Sequence, residues 1–173
     1  MGEGDEAVVD AASDAPTTGR YGAVEGSDPA VVFTTADEYL AVCTAAQADG
    51  FDQLIDLTAV DYLTYGADRG LPDGVGAERF ELITQLIDHT QRRRLRIRTQ
   101  VSADAPAVAS LFDLWPGSEN LEREVFDMFG IEFVDHPDMS RVLMPEDWVG
   151  HPLRKDYAVG SIPVQFKAAS NER

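Results

Sequence analysis

Leu95, Ile97, Thr99 and Val101 alternate with Arg94, Arg96, Arg98 and Gln100. Successive residues of a strand point to opposite faces, so this period of two predicts a half-buried strand over 94–101 in an antiparallel sheet. Residues 80–88 read as a second strand, and 89–92 can close a hairpin between the two. Another strand is predicted near 54–63, with Ile55, Leu57, Ala59 and Tyr62 as core positions. The spacing then changes to helical. Over 119–129, Leu121, Val125, Met128 and Phe129 form one stripe, and Phe126 widens the apolar arc to about 160°. Glu122 falls inside that arc. If buried, its carboxylate needs a cation or several donors, and Arg141, Arg154 and Lys155 are the candidates nearest in sequence. A solvated carboxylate at the helix edge fits the same spacing.

Two further helices are expected. Thr35 and Glu38 have the capping-box spacing, Leu40, Val42, Cys43 and Ala46 supply an apolar side, and Gly50 can end the helix. Residues 105–114 read as a short helix with Pro106 in its first turn. Strands grouped between helices predict an α+β domain over 30–133, a small antiparallel or mixed β-sheet flanked by helices.

Gly130 should end the helix that carries Glu122. Beyond Phe133 neither period survives. Residues 134–157 contain Pro137, Pro145 and Pro152, together with Met139, Val142, Leu143, Met144, Trp148, Val149, Leu153 and Tyr157. A disordered tail lacks such large apolar groups, and long irregular segments in compact domains are often functional. Residues 134–173 are therefore expected to form a long extended C-terminal strap whose side chains are buried against something. A neighbouring subunit, gripped by Trp148 and the arginines, is one acceptor. The strap's own domain is the other.

Charge narrows the partners. The net charge is −17, a field that repels nucleic acid and anionic lipid, so no nucleic-acid contact is expected. A basic protein face fits, and so does a salt-adapted host. Residues 1–29 are acidic, aperiodic and rich in small residues, and read as a flexible tail. Arg92, Arg93, Arg94, Arg96 and Arg98 are the one basic concentration. No aromatic interleaves them, so pairing with internal carboxylates or an acidic neighbour is favoured over RNA; a solvated sheet face fits equally.

Candidate chemistry is sparse. Cys43 is the single cysteine, so this chain alone cannot supply the usual four thiolates of an iron–sulfur cluster. His89, His136 and His151 lack metal-site spacing. Ser118 and Ser140 lack a nucleophile elbow, and the glycines of 66–76 are followed by no Gly-Lys-Ser/Thr. No catalytic, metal or cofactor-binding residue is expected. The acidic start does not resemble a secretory signal, and no apolar run approaches the length of a membrane span.

One stretch is more specific. It begins with Glu122, Arg123, Glu124, Asp127, Met128, Phe129 and Gly130. It continues through His136, Pro137 and Arg141, then Pro145 and Trp148. It closes with Gly150, His151, Pro152, Leu153, Arg154, Lys155, Asp156 and Tyr157. In order and spacing this resembles the Glu-Arg-Glu-x-x-Asp-Met-Phe-Gly and Gly-His-Pro-Leu-Arg-Lys-Asp-Tyr blocks of the 30-kDa (C) subunit family of respiratory complex I, the proton-pumping NADH:quinone oxidoreductase. The stretch Leu57–Tyr62 also fits, while Asn120 stands where the family often has tryptophan.

The resemblance implies a cofactor-free structural subunit of the peripheral arm, on the cytoplasmic side of the membrane and attached to it only through the complex. It implies contact with the 49-kDa (D) subunit, near the B and I subunits, through the signature residues just named. FMN, iron–sulfur clusters and quinone would be held by other chains. The same module in a membrane-bound [NiFe] hydrogenase or an F420H2 dehydrogenase is the alternative.

Overall fold

The computed structural model describes residues 23–24 and 29–158. Most of the acidic segment 1–29 and the last part of the strap, 159–173, lie outside them. Ala23–Val24, within the span read as a tail, form β1 and pair antiparallel with β2, Ala30–Thr35. Three long strands follow: β3 (Gln53–Asp61), β4 (Phe80–Asp88) and β5 (Arg93–Val101). The sheet order is β1-β2-β5-β4-β3. β3, β4 and β5 are antiparallel neighbours, and β2 runs parallel to β5, so the sheet is mixed.

The hairpin between β4 and β5 closes at 89–92 as expected. Asp88 Oδ1 accepts from the Thr90 and Gln91 amides at 2.8 and 2.9 Å, and Arg92 takes a positive φ of 56°. Leu95, Ile97 and Val101 are buried on one sheet face with Phe80, Leu82 and Leu86. Tyr39, Val42, Cys43 and Ala46 of helix α1 (Tyr39–Ala48) join this core, as do Val125, Met128 and Phe129 of helix α2 (Glu119–Phe129). Tyr39 reaches the sheet with its hydroxyl, 2.7 Å from that of Thr84.

Several expectations need correction. Ile55 is exposed because a bulge between Leu54 and Asp56 shifts the register of β3; Leu54 takes the core position instead. Tyr62 is half-buried beyond the strand end. Thr35 ends β2 and does not cap α1; its hydroxyl bonds the Glu38 carboxylate at 3.1 Å, and the helix starts at Tyr39, which leaves Leu40 exposed. The helix expected over 105–114 is absent. Ala107–Ala109 form strand β6, paired parallel with β7, Glu132–Val134, and turns follow to Pro116–Ser118. Two bonds, from the Glu132 amide to the Pro106 carbonyl and from the Ser110 amide to the Val134 carbonyl, each 2.8 Å, lengthen that ladder. Tertiary pairing outweighs a weak local propensity here.

Candidate functional site: the strap on helix α2

Helix α2 ends at Gly130, whose φ is +70°, and the Gly130 amide closes on the Phe126 carbonyl. The last carbonyls of a helix lack partners within it and carry partial negative charge. The strap supplies those partners. Arg141 Nη1 and His151 Nδ1 donate to the Asp127 carbonyl at 3.2 and 3.0 Å. The Leu153 amide donates to the Met128 carbonyl at 3.0 Å. Arg154 bonds the carbonyls of Phe129 and Gly130. Gly130 is needed for space as well as φ: a Cβ there would lie 2.6 Å from the His151 ring and 2.7 Å from Arg154 Nη2.

Asp127 is the second fastening. Its side chain is fully buried and paired with Arg141, and Oδ2 accepts the amides of Val142, Leu143 and Met144 at 3.1, 2.8 and 2.8 Å. Burial pushes this carboxyl up, but the Met144 amide, Arg141 and the other amides outweigh it and hold the pKa below the usual value. Arg141 also reaches the Gly150 carbonyl at 3.0 Å, tying the middle of the strap to its later turn. Arg123 grips the strap's start, donating to the Ser140 carbonyl at 3.0 Å and its hydroxyl at 2.8 Å.

The third fastening joins the strap to the sheet. Asp61, at the end of β3, accepts two bonds from Arg79 at 3.0 and 2.8 Å and one from the Lys155 amide at 2.8 Å. Arg79 also contacts Asp156 at 2.9 Å. Burial raises the Asp61 carboxyl, yet these donors bring it down to about 2. Tyr157 packs where Gly150, with φ +89°, leaves room; a Cβ there would lie 2.8 Å from its ring.

Glu122 is fully buried, one of the two placements its position in the arc allowed. Its expected cations are elsewhere. Arg141 is on Asp127, Arg154 on the helix end, and Lys155 uses its amide on Asp61. Glu122 is held by neutral donors instead, the Ser110 hydroxyl at 2.6 Å and the Leu111 amide at 2.7 Å, with His136 Nε2 at 3.9 Å. Burial dominates and raises its pKa. His136 accepts the Asp138 amide on Nδ1 and donates from Nε2 to the Glu119 carbonyl at 3.1 Å.

The strap is therefore folded onto its own domain through its backbone and charged groups. Its apolar side chains divide. Met139 and Met144 pack against the core, and Trp148 and Tyr157 are half-buried. Val142, Leu143, Val149 and Leu153 face outward, with Val149 87% exposed, Leu143 58% and Leu153 51%. Pro137, Pro145 and the Glu124 carboxylate are also at the surface, and Pro152 is half-buried. The expected anchoring arginines point inward. Among the described residues no cluster of three or more potential metal ligands occurs, and no helix is long and apolar enough to cross a membrane.

The family model of the respiratory-chain NADH dehydrogenase 30-kDa subunit matches residues 32–162, a span that runs from within β2 through the described part of the strap. The chain belongs to that family. A Bordetella petrii NADH-quinone oxidoreductase C subunit is 40% identical over 141 residues, covering 76% of this chain and 68% of the relative. The Roseiflexus sp. C subunit is 47% identical, covering 67% of this chain and 60% of its own length; for that of Salinispora tropica the values are 42%, 69% and 44%. The chain thus spans about half to two thirds of these relatives. Among solved structures, a trypsin-resistant fragment of Nqo5 superposes with a TM-score of 0.56 at 32% identity, covering 63% of this chain and 81% of the fragment. A chain of an archaeal membrane-bound sulfane sulfur reductase shares the fold, with a TM-score of 0.65 at 21% identity. In this 30-kDa family member, the signature residues Asp127, Gly130, Arg141, His151 and Arg154 all meet at one helix terminus. Asp127 was legible as a signature residue but not as the organiser of the strap.

Proposed function

We propose that the chain is a structural subunit of the peripheral arm of a proton-translocating NADH:quinone oxidoreductase, with no cofactor and no catalytic residue of its own. In this reading electrons pass from NADH through FMN and iron–sulfur clusters on other subunits to quinone. The chain seats the 49-kDa (D) subunit, with the B and I subunits nearby, and meets the membrane only through the complex, on its cytoplasmic side.

The observation that carries this reading is the two-sidedness of the strap. Its backbone is already ordered by Asp127, Arg141 and the end of α2. Its outer side presents Leu143, Val149 and Leu153 to solvent. A pre-ordered apolar surface binds a partner without the entropic cost of fixing a loose segment. The lone thiol supports the cofactor-free part of the reading: Cys43 is fully buried in the core, and burial pushes its pKa up, away from the thiolate that a metal needs.

The test replaces Leu143, Val149 and Leu153 by Asp in the host enzyme. These side chains face outward, so the purified chain keeps its melting temperature. Co-purification with the 49-kDa subunit and NADH:quinone activity in membranes should both fall at least about tenfold, a loss of some 1.4 kcal/mol or more in association. Normal assembly and activity in the triple variant would overturn the reading.

A further inference from the structure

Five arginines lie on β5 and the turn before it, and two of them are matched. Arg93 bridges Asp49 and Asp88 at 2.9 and 2.8 Å, and Arg98 is bidentate on the buried Glu81 at 2.8 and 3.0 Å. Arg92, Arg94 and Arg96 have no carboxylate partner among the described residues. Arg96 reaches only the Gln85 side chain, at 3.4 Å, and its Nε is closed to solvent without a partner. Arg92 and Arg94 are exposed and line one hollow with Ile87, Asp88 and His89. The Asp88 carboxylate is already taken by Arg93 and the turn amides.

These side chains occupy the sheet face opposite the core. Arg94 stands across from Ile87, and Arg96 lies between Val31 and Gln85. Helices α1 and α2 pack on the other face. Val31, Ile83 and Ile87 are half-buried on this outer face, so it combines partly exposed apolar area with an uncompensated cationic row. Asp56 stands one strand beyond Gln85, about 10 Å from the Arg96 backbone at the usual strand spacing. In a chain of net charge −17, such a row is out of keeping with the rest of the surface.

The complementary charge is in the same chain. Residues 1–22 carry five acidic residues against one basic, Arg20. That segment joins the sheet at β1, two strands from β5, or about 10 Å. β1 is antiparallel to β2 and β2 is parallel to β5, so the chain before Ala23 leaves at the Gln100 end of the sheet. Ala23 stands level with Ile97, so Arg94 lies about 10 Å back along the face from it and about 10 Å across. An extended chain covers up to about 30 Å between Asp14 and Ala23, and more from Asp10, so both aspartates can reach the row.

We propose that the acidic segment before β1, centred on Asp10 and Asp14, docks on Arg92, Arg94 and Arg96 and covers the outer sheet face. The chain then acts as its own ligand for a surface that other acidic proteins would otherwise occupy. The opposed charges supply the attraction, Ile87 and Val31 the apolar floor, and β1 the tether that makes the contact intramolecular and raises its effective concentration.

The test uses the full chain, 15N-labelled, with a nitroxide on Val8→Cys; Cys43 is buried, and the unsubstituted chain treated alike checks that it stays unlabelled. Paramagnetic broadening should reduce the Ile87, Arg94 and Arg96 amide signals at least about twofold. It should vanish in high salt, where the Debye length shrinks to a few ångströms. It should also vanish in the Arg92→Gln/Arg94→Gln/Arg96→Gln variant, whose dispersed spectrum verifies folding. The proposal is overturned by broadening that is absent from this face, that persists in high salt or in the triple variant, or that arises only between labelled and unlabelled copies. Because the salt titration needs no substitution at the row, misfolding of the variant would not remove the test.

Discussion

Glu122 and Asp127 sit on the same helix with side chains closed to solvent, yet the two regions around them behave oppositely. Around the first half of α2, Glu122 is hydrogen-bonded by the neutral Ser110 hydroxyl and Leu111 amide, with His136 more distant at 3.9 Å, and burial leaves its pKa raised. The last turn offers Asp127 the Arg141 guanidinium and three amides of the strap, and its pKa is lowered. A carboxylate matched by charge and converging amides stays ionised and organises chain around it. One matched by neutral dipoles is a polar insertion that the core tolerates. The strap end of the helix therefore depends on ionisation and the other end does not.

The largest expected effect is at Asp127. Asp127→Asn leaves Arg141 without its counter-charge in a largely closed site and takes the acceptor from strap amides. Breaking a buried pair in this way costs about 3–5 kcal/mol, to be read as a fall in the urea midpoint. Gly130→Ala comes next. The left-handed backbone alone costs an alanine about 1–3 kcal/mol, and the new Cβ must also displace His151 and Arg154. Its signature is faster amide exchange in 151–154 with the sheet unchanged. Either variant matching wild type in both stability and exchange would erase the distinction between the two ends.

Glu122→Gln is the smallest effect, about 1 kcal/mol or less, because a neutral side chain can keep much of the bonding. It also separates the two ends by pH. A carboxyl raised in the folded state contributes stability fully present below its unfolded pKa and lost as pH rises through its folded pKa, so Glu122→Gln should remove a loss seen above the usual carboxylate range. Asp127 and Asp61 are lowered, and their contributions are present above their unfolded values and lost on acidification, for Asp61 down to about 2. Burial, then Arg154 and Arg141, hold the His151 pKa below its usual value, so protonation there also opposes folding as pH falls. Acid titration followed by chemical shift should therefore loosen residues 141–156 before the sheet; simultaneous loss of both would count against this division.

What could be read in advance follows the same boundary. The alternation over 94–101 located β5 to within one residue, and the helical stripe located α2, because both elements bury one face in the same core. Glu122 lies in that stripe, where burial and a solvated edge both fitted; its donors were not legible, since Ser110 and Leu111 fall where a helix was expected. β2 was missed, although Val31, Val32 and Phe33 are strand formers. Asp127 lies on the polar side of α2. Its burial is caused by the strap, and helical periodicity carries no information about a segment that arrives later in the chain. The proline-punctuated apolar run announced a strap; that it would turn its charges and amides inward and Val149 outward depended on the meeting of Asp127, Arg141 and the helix terminus.

The most direct test of the account is amide hydrogen exchange on the isolated wild-type chain at neutral pH. The fastening at Asp127 predicts that Val142, Leu143 and Met144 are protected without any partner present, and that Asp127→Asn abolishes this protection while β4 and β5 keep theirs. Exchange of these three amides at unstructured-chain rates in the isolated wild type would contradict it, because the strap would then be ordered by a neighbour and not by its own domain.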